Sequence, residues 1–256
     1  MPAERSLVGR HAVITGASRG IGAAIALRLA QMGAQTTLIG RDRETLEREA
    51  SRSAEGRAMV CDVTDPAQVD RAFAEARARA PIAVLINNAG AAESVPFLKT
   101  SDALLERMLA VNVASAFRCA RAALPSMLEL GWGRVINIAS IAGLRGYAYV
   151  TAYCTAKHAL VGFTRALAAE TAGRNITVNA ICPGYTDTEM VRKAVSNIAT
   201  KTGRSQEQAM QELVRSNPQQ RLIRPTEVAQ TVAWLCGADA EAISGQAIAM
   251  AGGDGA

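Results

Sequence analysis

Aromatic residues are scarce: Phe, Trp and Tyr together make up 4% of the 256 residues. Histidine is scarcer still. His11 and His158 stand apart from each other and from any cysteine, so the ligand spacing of a zinc site is missing and no metal is expected. The five cysteines (Cys61, Cys119, Cys154, Cys182, Cys236) are odd in number and show no Cys-x-x-Cys pair, as expected of reduced, mostly buried thiols in a cytoplasmic protein. No run approaches the ~20 apolar residues of a membrane span, and Met1 to Val8 lacks the apolar centre of a signal peptide. Long blocks of one charge are also missing. The 28 Lys and Arg are interleaved with 23 Asp and Glu, and the net charge of +5 speaks to solubility or to an anionic small molecule. Without an aromatic-basic module, nucleic acid is not an expected partner. Repeats, low-complexity tracts and linkers are absent too.

What is present is apolar and alternating. At 49% hydrophobic, 256 residues can bury one substantial core, so residues 1–256 are expected to form a single domain. The short β-branched run His11–Thr15 and further runs at Gln35–Gly40, Arg57–Cys61, Ile82–Ile86, Arg134–Ile138, Ile176–Cys182 and Gln246–Met250 read as about seven strands. Helical stretches lie between them: Ala23–Met32 stopped by Gly33, one capped by Asp42, one opened by Asp65-Pro66, a long one over Ser101–Leu130, and one from Tyr153 to about Gly173. Strand-helix alternation over the whole length predicts an α/β doubly wound parallel sheet with helices on both faces. Residues 184–218 break the rhythm between the sixth strand and a helix starting near Thr226. This connection, partly helical over Gln206–Val214, leaves a strand's carboxyl end, where ligands of open parallel sheets bind, and it reads as a substrate lid.

Two stretches carry chemistry. Gly16-Ala-Ser18-Arg19-Gly20-Ile21-Gly22 joins the first strand to the first helix. Glycines there let the backbone approach a pyrophosphate, and the helix's free N–H groups hold the anion; a turn needed only for tight helix packing is the other reading. Tyr153 and Lys157, four residues apart at a helix start, share one face. A cation near the phenol would lower its pKa from ~10 and make it a usable acid or base.

Together these residues resemble the short-chain dehydrogenases/reductases in their form of about 250 residues, over nearly the whole chain. Thr15 to Gly22 resembles the family's Thr-Gly-x-x-x-Gly-x-Gly turn, and Asn87-Asn88-Ala89-Gly90 its Asn-Asn-Ala-Gly motif. Asn112, Ser140, Tyr153 and Lys157 fall where its catalytic Asn, Ser, Tyr and Lys fall, and Pro183-Gly184 with Thr188 matches the segment covering the nicotinamide. The resemblance implies a Rossmann-type fold and hydride transfer between a nicotinamide coenzyme and a ketone or secondary alcohol. Tyr153 would exchange the proton, Ser140 would hold the substrate oxygen, Lys157 would lower the tyrosine's pKa and bind the ribose, and Asn112 would hold a relay water. It further implies that Asp62 accepts from the adenine amino group beside Val63. The Asn87 side chain and Gly90 backbone would line the coenzyme channel with Asn88 and Ala89, and Thr186 and Thr188 would reach the carboxamide or the phosphates. Family members pair the Asn112 and Tyr153 helices across a two-fold axis, so a homotetramer or homodimer is expected. Two departures, Ala83 and Ala251 where relatives carry Asp, lie away from the reaction centre.

An NAD site usually has an acid at the end of the second strand. Here Gly40 is followed by Arg41, and Arg19 lies in the glycine turn, so two guanidiniums suit a 2′-phosphate and NADP(H) is expected. Asp42 is the counter-signal, accounted for by helix capping; NAD(H) stays possible. The lid's length resembles 3-hydroxybutyrate dehydrogenases, which grip a small carboxylate with Gln, His and Lys. The matching positions here are Ala92, Ala142 and Val150. A ketone or 3-oxoacyl thioester fits these better than a free acid, and Arg145, Arg192 and Lys193 could meet a carrier's phosphate. An NAD-dependent hydroxyacyl dehydrogenase and a non-catalytic dinucleotide sensor are the competing readings.

Overall fold

The computed structural model describes residues 6–254; the first five residues of the Met1–Val8 stretch lie outside them. Seven parallel strands form one sheet in the order β3-β2-β1-β4-β5-β6-β7. They are β1 His11–Thr15, β2 Gln35–Gly40, β3 Gly56–Val60, β4 Ile82–Asn87, β5 Gly133–Ile138, β6 Ile176–Pro183 and β7 Ala247–Met250. The helices are α1 Gly20–Gln31, α2 Arg43–Ala50, α3 Pro66–Arg79, α4 Asp102–Leu109, α5 Ser115–Leu130, α6 Thr151–Thr171, α7 Glu189–Thr202, α8 Gln206–Val214 and α9 Pro225–Cys236.

Buried strands alternate between two cores. Ala12 and Ile14 of β1 pack on the layer holding Ile25 and Leu29 of α1, Leu46 of α2 and Val228 and Val232 of α9. Val13 points the other way, into Phe73 of α3, Cys119 and Ala123 of α5 and Ala168 of α6. Ile136 and Ile138 part from Val135 in the same manner. Both faces are therefore covered, as an all-parallel sheet requires.

Side-chain caps fix several helix starts: Asp42 accepts from Thr45 N at 3.1 Å, and Asp65 from Ala67 N and Gln68 N at 2.9 and 3.2 Å. Chain order reverses between β1 and β4, which lie side by side although two strands intervene in sequence. At this switch point the loops after β1 and β4 diverge and leave a crevice at the sheet's carboxyl edge.

The long helical stretch expected over Ser101–Leu130 runs unbroken from Asp102 to Leu130 and contains one widened turn, Ala110–Ala114, that carries Asn112. One expectation needs correction. The lid holds a second helix: α7 is capped by Thr188 and ended by Gly203 at φ +70°. Val191 and Val195 of α7 meet Ala209 and Leu213 of α8, so the segment is a helical hairpin with a small core of its own. The spacing of Val191, Val195 and Ile198 on one helix face was the available signal.

Candidate active site

At the switch point Thr15 and Asn88 join the two loops. Thr15 Oγ1 accepts from Asn88 N at 3.0 Å and Ala89 N at 3.1 Å and donates to Ile86 O at 3.3 Å. Asn88 Nδ2 donates to Thr15 O and Gly16 O at 3.0 and 2.9 Å. This junction holds the glycine turn closed, and its hydroxyl, quoted in the motif, had no assigned role in the sequence. A Cβ on Gly22 would stand 2.4 Å from Gly16 O and 2.5 Å from Asn88 Nδ2, so only glycine fits. Gly20 takes φ +58°, and Thr188 Cγ2 lies 3.2 Å from where its Cβ would be. Ser18 and Ile21 are half-buried in the turn. Arg19, at the cap position of α1, makes no side-chain cap, so the helix's first N–H groups are left to an anion. That cradle fits a dinucleotide's pyrophosphate.

Asn87 departs from its expected place. Its side chain is buried, donating to Asn137 Oδ1 at 2.9 Å and Ala116 O at 3.4 Å. The last residue of a strand points opposite to the one after it, so Asn87 enters the core while Asn88 faces the crevice.

At the outer edge, Asp62 follows β3 and takes two bonds on Oδ1, from Thr64 N at 2.9 Å and Thr64 Oγ1 at 2.7 Å, which hold its carboxyl below the usual range. Oδ2 keeps its capacity to accept. Val63 beside it is buried. Arg41 lies near enough to Asp62, and Arg19 near enough to Asp42, to add to the lowering of each acid's pKa. Arg41 directly follows β2 and Arg19 opens α1 within electrostatic reach of Asp42.

Four further residues converge beyond β4 and β5. Asn112 is buried and donates to Ala91 O at 2.9 Å and Met108 O at 3.0 Å; its Oδ1 accepts from Ala91 N at 3.3 Å. The wide turn aims it at Gly90, whose Cβ position would lie 2.8 Å from Asn112 Oδ1 and 3.6 Å from Lys157 Nζ. Lys157 is buried and donates to Ile138 O at 2.9 Å. Its ammonium stands 5.7 Å from the centre of the half-buried Tyr153 ring. Ser140, at the end of β5, accepts from Ala142 N at 3.1 Å.

The electrostatics of this group correct a second expectation. Burial pushes the Tyr153 phenol up to about 12, and the group that pulls it back is Ser140. Burial also pushes Lys157 down, to about 8. Burial disfavours both charges, and the ammonium is committed to the Ile138 carbonyl. Lysine alone does not make this phenol acidic.

Pro183 ends β6, Gly184 lies against Ala251, and Thr186 is buried with its hydroxyl on Gly184 O at 3.0 Å. Thr188 donates to Thr186 O at 3.2 Å. Of this segment, Thr188 reaches the glycine turn. The three cations assigned to a carrier phosphate already have partners: Arg145 holds Asp254, Arg192 holds Asp187 at 2.8 Å and Lys193 holds Glu189 at 2.7 Å. Asp254 also accepts from Tyr147 and Ser216, tying the chain's end to the lid.

Comparison with known proteins agrees with this geometry. Residues 10–199 match the family model described as short chain dehydrogenase. The chain is 38% identical over 256 residues to a D-beta-hydroxybutyrate dehydrogenase of Rhizobium meliloti, covering 95% of this chain and 98% of that protein. It is 35% identical over 255 residues to the 3-oxoacyl-acyl-carrier-protein reductase MabA of Mycobacterium bovis, with 99% and 96% covered. The crystal structure of a tryptophan-substituted variant of actinorhodin polyketide ketoreductase with NADPH superimposes with a TM-score of 0.92 at 34% identity, covering 96% of this chain and 97% of that one. The chain belongs to the short-chain dehydrogenase family, and it is an oxidoreductase that moves hydride between a nicotinamide coenzyme and a ketone or secondary alcohol.

Proposed function

We propose that the coenzyme is NADP(H) and that the substrate is a 3-oxoacyl thioester or a similar carbonyl without a free carboxylate at its reacting end. The single observation behind the substrate is the set Ala92, Ala142 and Val150, which offers no side-chain donor to a carboxylate. Arg41, just past β2, and Arg19, in the glycine turn, support the 2′-phosphate, and the NADPH in the ketoreductase's crystal structure agrees.

When bound, the nicotinamide supplies or accepts the hydride. The chain's own groups manage the proton and the oxygen. Tyr153, kept protonated by burial, gives its phenolic hydrogen to the carbonyl oxygen as the alcohol forms. The Ser140 hydroxyl donates to the same oxygen while charge develops on it. Lys157, with a pKa near 8, returns a proton through the Asn112 side of the site, where Asn112 Oδ1, Gly90 and the ammonium meet. Asn88, Ala89, Gly90, Pro183, Gly184, Thr186 and Thr188 line the coenzyme's path, with Asp62 and Val63 at the adenine. Residues 184–218 close over the substrate as part of one domain.

We further propose that the protein works in the cytoplasm, its cysteines reduced, as a homotetramer or homodimer. Phe117 of α5, half exposed and 5.5 Å from the Phe163 ring of α6, supports pairing through those helices. Among the described residues no helix is long and apolar enough to cross a membrane.

Steady-state rates with NADPH and NADH on ketones, β-keto esters, acetoacetyl-CoA and free acetoacetate test the proposal. NADPH should be preferred by roughly tenfold or more, and Arg41→Asp should erase the preference. Preference for NADH in the wild type, with free acetoacetate the best substrate, would establish the NAD-dependent 3-hydroxybutyrate-type reading instead. That reading is the one favoured by the Rhizobium relative.

A further inference from the structure

The coenzyme turn and the lid meet at one carboxylate. Glu189 opens helix α7, and its Oε2 lies 2.7 Å from Arg19 NH1 while its Oε1 lies 2.7 Å from Lys193 Nζ. Thr188, which caps the same helix, sits with its methyl 3.2 Å from where a Gly20 Cβ would be, so the contact is between backbone-anchored elements. Arg19 also feels Asp42, just past the end of β2. The guanidinium thus stands between the edge where a ribose 2′-phosphate would lie and an acid on the lid. Drawing it fully onto a phosphate takes NH1 from Glu189. The cost of that parting is small, because Lys193, one turn along α7, keeps the carboxylate paired.

We propose that Glu189 is a specificity-determining residue for the coenzyme: it competes with the 2′-phosphate for Arg19, and so weakens NADPH without touching NADH. The inference rests on the reading of Arg19 as a phosphate ligand. The sequence gives no hint of the pairing, since 170 positions separate the two residues. The pair is exposed, with 63% and 42% of the two side chains accessible, so the competition is worth about two- to fivefold in affinity.

Equilibrium titration of the full-length chain with NADPH and with NADH, followed by nicotinamide fluorescence, tests it on four proteins: wild type, Glu189→Gln, Arg19→Gln and the double variant. Glu189→Gln should tighten NADPH about two- to fivefold and leave NADH unchanged. In the Arg19→Gln background the same change should do nothing to NADPH, because the competitor has lost its object. Equal tightening of both coenzymes by Glu189→Gln, no tightening of either, or tightening of NADPH that survives the loss of Arg19 would overturn the proposal while leaving Arg19 as a phosphate ligand. An unchanged NADPH-to-NADH ratio in Arg19→Gln alone would remove that ligand assignment, and this inference with it.

Discussion

Lys157 offers the sharpest test of the site's electrostatics. It is buried, and its pKa falls from 10.5 to about 8. An unfolded lysine keeps its proton up to ~10.4, so between pH 8 and pH 10.5 the unfolded chain binds more protons than the folded one. Stability contributed at this position therefore rises with pH across that window, and below pH 8 the buried ammonium costs about 3 kcal/mol. Replacing Lys157 with Met removes the cost at neutral pH. It also removes the bond to Ile138 O and leaves that carbonyl without its partner, a loss of about 1–2 kcal/mol. The variant should gain about 1–2 kcal/mol net at pH 7, or roughly 3–6 °C in Tm for a chain of this size, although catalysis is lost. Scanning calorimetry of both proteins without coenzyme at pH 7, 8, 9 and 10 reads the difference directly. The gap should shrink by up to about 1.4 kcal/mol per pH unit above pH 8 and close or reverse near pH 10. A gap that stays constant from pH 7 to pH 10 would refute the depressed pKa, and with it the picture of a buried site that resists both charges.

Tyr153→Phe should lower the catalytic rate by about 10²–10⁴-fold while NADPH titration shows unchanged binding; near-native turnover would take proton transfer away from the phenol. Gly22→Ala puts a methyl 2.4 Å from a backbone oxygen, so the turn must shift. Coenzyme affinity should drop at least about tenfold and urea unfolding should show a loss of about 1–3 kcal/mol; an unchanged dissociation constant would free the turn from its assigned role.

Much of this was legible in the sequence because local chemistry and global fold agree. The inner strands are short apolar runs rich in β-branched residues, Asp42 and Asp65 announce their helices, and glycines mark the turn at the switch point. Asn112, Ser140, Tyr153 and Lys157 could be picked out because they fall in order where the family's motif residues fall, Ser140 just past β5 and the Tyr-Lys pair in the first turns of α6. What was missed depends on contacts distant in sequence. Asn87 and Asn88 are chemically identical neighbours, and only the pleat decides that one is core and the other faces the crevice. The cations Arg145, Arg192 and Lys193 look available in a string of letters; Asp254, which holds the first, arrives 109 residues later. Helix α7 was passed over because its polar face is rich in Lys, Arg and Ser, which reads as loop unless its apolar positions are counted at helical spacing.

The largest departure concerns the tyrosine itself. A Tyr-x-x-x-Lys pair suggests a cation working on a phenol, yet the folded chain shows two groups each pushed toward neutrality by the same burial. Separately, a buried phenolate and a buried ammonium are both costly; together they offset part of each other's desolvation. The pair thus resists charging one member at a time. Ser140, just past β5, is the neighbour that already lowers the phenol's pKa in the free chain, against the larger upward push of burial. In the proposed reaction the serine hydroxyl turns to the substrate oxygen, and the lysine's charge is what stabilises the phenolate left behind. The protonated phenol of the free chain is the form that carbonyl reduction needs.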